Sequence, residues 1–333
     1  MFIALTMFIV TSITFFISFW IPGDPGSLWV GDRPTEEQLE IAYEELRVNE
    51  PLYIQYVTYL QRVSKLDLGL SLRTKQPILN EIKARFISTF ELVTLSLIMA
   101  IIIGFPLGLI IAINRGSWFD YTIRASGYLS LSIPIFWLGM MLQLFFFGYL
   151  DILPLQGRSS IPMSNIQEYA TQGANIHLMG AIIKGDWLAL QDLLRHMLLP
   201  SITLALTIIG LIIRTGRSAM IKTIDENHFS TFLSFGYKKH EVIWSLAYKN
   251  TLIPLSTVTG LSYGLLMGGT FLLESVFDWP GIGQFVTLSI LTNDFPAVIG
   301  VTLFYTFQYT LINLFVDMLY FCIDPRINNP IHD

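Results

Sequence analysis

The chain has 333 residues, 53% of them hydrophobic and only 14% charged, with a mean hydropathy of +0.56 and a formal net charge of −5. A water-soluble chain of this size carries a charged shell of roughly a quarter of its residues, so the composition excludes an ordinary soluble domain and makes lipid the expected solvent. No basic tract suits nucleic acid. The single cysteine, Cys322, lies in an apolar run and excludes a disulfide framework or thiolate cluster; it reads as packing.

In chain order, the first element is the apolar run Met1 to Ile21, about as long as a bilayer crossing requires. It has no Lys or Arg and no small-residue cleavage site, and it ends in Pro22-Gly23-Asp24-Pro25, so it reads as a retained span and not a cleavable signal. Residues 22–88 follow as an expected extracytoplasmic cap. Its first half is acidic, with Glu36, Glu37, Glu40, Glu44 and Glu45, and the pattern Leu52, Tyr53, Ile54, Tyr56, Val57 and Leu60 predicts an amphipathic helix.

Five more apolar stretches come after the cap: Leu92 to Ile113, Ser126 to Leu150, Leu198 to Ile213, Leu252 to Leu273 and Ala297 to Ile323. With the first they make about six spanning helices, an all-α polytopic membrane fold. Arg214, Arg217, Lys222, Lys238, Lys239 and Lys249 crowd the connection 214–250, whereas Glu274 to Pro296 holds no Lys or Arg. Excess positive charge marks cytoplasmic loops, so the loop, both termini and the Arg115 turn are expected inside, with a core over residues 89–325 and a tail over 326–333.

The loop is the strongest local feature. From Ser218 to Pro254 it is amphipathic and reads as two short helices with a turn at Gly236, where glycine can take the left-handed backbone that ends a helix. Ile221, Ile224, Phe229, Phe232, Leu233 and Phe235 recur at near-helical spacing and predict an apolar face that needs a protein partner. The predicted contact set is Ser230, Thr231, Phe232, Leu233, Ser234, Phe235, Gly236 and Tyr237. A second candidate is Trp279-Pro280-Gly281-Ile282-Gly283, read as a re-entrant turn at an outer gate, with Trp279, Pro280, Gly281 and Gly283 lining it, against the alternative of a plain surface turn.

No catalytic or metal site is expected. His177, His196, His228, His240 and His332 have no spacing that puts two on one helical face, and no nucleophile elbow frames a serine. Gly210 to Ser218 is the nearest approach to a phosphate-binding loop, but it has the wrong spacing and no lysine. Glu91, Glu274 and Asp317, acids at or within the apolar runs, read as hydrogen-bonded packing groups.

Several runs carry a resemblance. Gly236 is followed by Asn250-Thr251-Leu252-Ile253-Pro254, and Arg214, Arg217, Ser218 and Met220 precede it. The last third holds Glu274-Ser275-Val276-Phe277-Asp278-Trp279-Pro280-Gly281-Ile282-Gly283, then Asn293-Asp294-Phe295-Pro296, Asp317 and Asp324-Pro325-Arg326. Upstream lie Pro106-Leu107-Gly108, Arg115-Gly116-Ser117-Trp118-Phe119-Asp120, Ser132-Ile133-Pro134-Ile135-Phe136-Trp137-Leu138-Gly139 and Asp67-Leu68-Gly69. Over nearly its whole length the chain resembles the peptide and nickel permeases of ATP-binding-cassette importers. It departs from them at Phe232 and at Leu246, where a histidine is often found.

The resemblance implies a type I importer permease fold with a cytoplasmic coupling helix, in a bacterial plasma membrane. It also implies a second, homologous permease subunit, two cytoplasmic ATP-binding subunits that hold ATP and Mg, and an extracytoplasmic substrate-binding protein. This chain would bind no cofactor itself. Peptide is the expected cargo and nickel or another metal chelate the alternative. Moving a balance of states from 1:99 to 99:1 takes about 5.5 kcal/mol, which a chain with no nucleotide site must receive from a partner. A self-contained secondary transporter would instead need intramembrane charges and internal repeats, neither of which is evident. A mere scaffold would not need the breaks at Pro106, Gly108, Pro134 and Gly139.

Overall fold

A computed structural model describes residues 2–20, 50–160, 178–244 and 248–323, with isolated positions between 35 and 43. The turn Pro22 to Pro25, most of the acidic run, Leu246 and everything from Asp324 onward lie outside the described residues, as do the side chains of Asp317 and Cys322. Among the described residues the secondary structure is helical apart from one isolated bridge between Leu70 and Pro77.

Four helices are long and apolar enough to cross a bilayer, Ile78–Ile113, Trp187–Ile224, Asn250–Gly269 and Phe295–Val316, and a bent pair makes a fifth if counted as one span. The N-terminal helix α1, Phe2–Trp20, contributes the shorter apolar stretch Ala4–Ile17. The chain is therefore the expected all-α polytopic membrane protein. A bilayer enforces that architecture because each backbone N–H and C=O must be satisfied within its own segment.

The third expected span, Ser126 to Leu150, is not one straight rod. It is the bent pair, α4 (Trp118–Ser132) and α5 (Ile135–Gln143, running into a π-helical turn Leu144–Tyr149), which meet at 103°. The cause is Pro134: it has no N–H to continue the ladder and forces the preceding residue out of helical geometry. Ile133 accordingly sits at φ −85, ψ 127.

The chain divides into two compact units, residues 1–89 with 280–310, and residues 90–279 with 311–333. In the first, α1 packs on α2 (Leu52–Ser64) through Phe15, whose ring lies 5.2 Å from Tyr56 and 5.3 Å from Tyr59, while Ser12 and Tyr56 share a 2.6 Å hydrogen bond. The core of this unit is Ile78 and Ile82 at the start of α3 (Ile78–Ile113), Ile282 and Phe285 of α12 (Ile282–Leu291), and Ala297 and Val301 of α13 (Phe295–Ile323).

One carboxylate ties this unit together. Asp294 is fully buried and accepts from the Ser71 hydroxyl at 2.5 Å, the Leu72 and Arg73 amides at 3.0 and 3.2 Å, and the Ala297 amide at 3.3 Å. It caps α13 and clamps the turn that leads into α3.

In the second unit α7 (Trp187–Ile224) is central, flanked by α4, α5, α6 (Leu178–Lys184) and α10 (Tyr248–Gly269). Small residues let it lie close to its neighbours. A Cβ on Gly210 would stand 2.3 Å from the Gly127 carbonyl oxygen of α4, and one on Gly108 of α3 would stand 2.8 Å from the Ile213 carbonyl oxygen. Such approach gains dispersion contacts where lipid offers no hydrophobic drive.

Candidate functional site

α7 ends at Ile224 and its cap residue Asp225 pairs with Arg115 at 3.1 Å, which fixes the point where the loop leaves the bundle. α8 (Asn227–Ser234) and α9 (Lys239–Val242) are the two short helices expected from the sequence. α8 ends in a Schellman turn: Gly236 takes φ +88, its amide bonds Leu233 O at 3.0 Å, and the Tyr237 amide bonds Phe232 O at 3.3 Å. That motif commonly brings the residue after the glycine onto the last turn of the helix. Here the Tyr237 ring meets Phe232 edge-on at 5.7 Å.

The apolar face is narrower than the spacing suggested. Ile221 and Ile224 belong to α7, and Phe229 is buried as the anchor of α8. Phe232, Leu233 and Phe235 are exposed by 40%, 38% and 77%, and Tyr237 is exposed beside them. The hydroxyls of Ser230, Thr231 and Ser234 donate to carbonyls one turn back, so they compete little for a partner. Lys238, Lys239 and His240 are exposed next to this face. An apolar patch with a polar rim is the surface a protein partner covers.

Behind the loop, two of the motifs noted in the sequence meet. Arg217 of α7 grips the fully buried Asp120 of α4 with two hydrogen bonds of 2.8 Å, the Gly116 amide donates to the same carboxylate at 3.1 Å, and Arg124 pairs with it at 3.1 Å. The fork of a guanidinium matches a carboxylate in this way. Nothing in the spacing announces the pair, because its members stand 97 residues apart.

The candidate gate residues differ among themselves. Trp279 is fully buried and Gly281 and Gly283 are buried, while Pro280 is exposed. α11 (Phe271–Val276) is capped at Phe277; Asp278 follows at φ +47, and the Trp279 amide donates to Glu274 O at 2.8 Å. Glu274 is buried and takes a hydrogen bond from Thr270 at 2.8 Å, a packing role.

Glu91 is not a lone packing acid. It takes the Arg158 guanidinium at 2.5 Å and the Leu178 amide at 2.8 Å, and Arg158 also lies 5.6 Å over the Trp279 ring. Burial lowers the pKa of Arg158 and the facing carboxylate opposes that. Arg158 sits in a polar stretch with no motif around it, so sequence reasoning passed it over. Among the described residues no group of three His, Cys, Asp or Glu side chains is placed to hold a metal ion.

A bundle of long apolar helices with a short exposed helix on one connection is the architecture of a multi-span membrane protein. Residues 104–329 match the family described as binding-protein-dependent transport system inner membrane component, and residues 1–93 match its N-terminal part. The chain belongs to this family. Among its relatives, a probable D,D-dipeptide transport system permease protein of Escherichia coli K12 is 39% identical over 95% of this chain and 92% of that protein. A dipeptide transport system permease protein of Alkalihalophilus pseudofirmus is 37% identical over 95% and 94%. A glutathione transport system permease protein of Escherichia coli O6:H1 is 31% identical over 97% and 94%.

Proposed function

We propose that this chain forms half of a pathway for short peptides, paired with a second permease, and that α8 receives the work of cytoplasmic ATP-binding subunits. The observation that carries the reading is the exposed apolar tip of Phe232, Leu233 and Phe235 on a short helix held by a glycine turn. ATP and Mg belong to the partner subunits, and an extracytoplasmic binding protein supplies cargo. The chain lies in the bacterial inner membrane with both termini inside. Peptide cargo is supported by the names of the relatives, which are dipeptide and glutathione systems; the nickel alternative has no observation in its favour.

Mechanically, a rigid α8 would transmit motion through Phe229 into α7, and the buried Asp120–Arg217 pair would carry it to α4. Access would then alternate as the ATP-binding subunits close and part. The test is ATP hydrolysis and labelled dipeptide uptake by the reconstituted complex. The paired change Thr231→Asp with Phe232→Asp, and separately Gly236→Pro, should abolish cargo-stimulated hydrolysis and uptake while the subunits still copurify. Uptake that persists with the ATP-binding subunits absent would replace this reading with a secondary transporter.

A further inference from the structure

Where α4 and α7 meet, Gly127 and Gly210 bring the backbones together. A cavity of about 190 Å³ lies between the two helices, and three arginines line it: Arg124, Arg214 and Arg217. Among the described residues only Asp120 compensates them, hydrogen-bonded to Arg217 and ion-paired with Arg124. No acid lines the cavity itself, so it carries an excess of two positive charges.

Arg214 decides the matter. It is exposed at the mouth and has no hydrogen-bond or ion-pair partner among the described residues, and Ser218 stands one turn along the same wall. Two arginines held by one carboxylate and a third at the exposed rim gather more positive charge than packing requires. That arrangement is good chemistry for a phosphate oxygen set, which takes guanidinium donors and a hydroxyl together.

The surroundings say which phosphate. On α4, Trp118, Tyr121 and Tyr128 are exposed by 79%, 60% and 55%; Tyr128 lines the cavity, and Arg124 lies 4.8 Å over the Tyr121 ring. Exposed Trp and Tyr on a spanning helix gather at the level of lipid headgroups, and basic pockets between spanning helices take anionic headgroups. We infer that this cavity is a binding site for the phosphate of an anionic phospholipid, wedged between α4 and α7 next to the start of the docking loop. Occupancy would neutralise the excess charge and brace the two helices that Asp120 and Arg217 already join.

The experiment uses the full chain, delipidated in detergent, with retained lipid counted by native mass spectrometry against phosphatidylglycerol, phosphatidylcholine and inorganic phosphate. Phosphatidylglycerol should be held in preference to phosphatidylcholine. Arg214→Gln should weaken it by about fivefold, one arginine's share of headgroup attraction. Arg214→Lys should keep most of the affinity, and Arg195→Gln, far along α7, should change nothing. If millimolar inorganic phosphate displaces the lipid with the same dependence on Arg214, the site stands and its ligand is free phosphate. Equal retention of the two lipids, or wild-type affinity in Arg214→Gln with Arg214→Lys also unchanged, would overturn the inference.

Discussion

Asp294 shows how much one side chain can hold and how little of that is legible in advance. The sequence offers Asn293-Asp294-Phe295-Pro296 as a recognisable run, and an acid just before an apolar stretch is a reasonable helix cap. Its capping bond to Ala297 is local and follows from that logic. Its bonds to Ser71, Leu72 and Arg73 reach back across more than two hundred residues, and no local pattern encodes them. Replacing Asp294 with Ala strips the partner from three amides and a hydroxyl at a largely buried site. An unsatisfied buried donor costs about 1–3 kcal/mol, so Asp294→Ala should destabilise the unit around 71–77 and 294–297 by about 3 kcal/mol or more. Thermal unfolding in detergent measures this, and an unchanged midpoint would mean that the turn finds other acceptors. Gly236 is the opposite case: a glycine after a helical apolar run predicts a left-handed cap from local rules alone, and its φ of +88 is what those rules describe.

At the scale of elements, hydropathy located the helices but misjudged their ends. Leu198 to Ile213 looked like the shortest span, yet α7 runs from Trp187 to Ile224, and α3 starts at Ile78 although its apolar run begins near Leu92. The reason is physical. Apolar composition reports where lipid is, whereas a helix stops only where its hydrogen-bond ladder is capped or broken, and a 36-residue helix is about 54 Å long against a core of about 30 Å. The bend at Pro134 was visible as a proline but not as a turn of 103°, because prolines inside spans are often tolerated: Pro106 and Pro200 both lie within continuous helices. Helix contacts were illegible for another reason, since glycines at Gly127 and Gly210 mean nothing until they face each other. Their contact gives a matched pair of variants. Gly210→Ala drives a methyl into the Gly127 carbonyl and must part α4 from α7, at a cost of about 1–3 kcal/mol for overpacking. Gly268→Ala, with nothing within 4 Å of its added methyl, should leave the melting midpoint unchanged or raise it. Equal effects would show that α4 and α7 yield at no cost.

For the whole molecule, the family was legible in the sequence because its motifs are spread along the chain, and orientation is the property that rests on the chain as a whole. No single residue sets it; the distribution of Lys and Arg does. The connection 214–250 holds Arg214, Arg217, Lys222, Lys238, Lys239 and Lys249, and Glu274 to Pro296 holds no basic residue. Moving the first across a membrane means dehydrating several cations, while the second carries only its acids, so the docking loop should face the cytoplasm and the stretch after α12 the outside. Single cysteines in a Cys322→Ser background report this directly. Ser230 on α8 and Thr292 after α12 are both exposed, so each accepts a cysteine that a maleimide can reach. An impermeant maleimide should label Thr292→Cys in spheroplasts, where the outer face is open to it, and should reach Ser230→Cys only after the membrane is opened. The same orientation is what the proposed coupling requires, because ATP is available to subunits on the inner face alone. Labelling in the reverse order would place α8 outside, and the proposed coupling role of Phe232, Leu233 and Phe235 would fall.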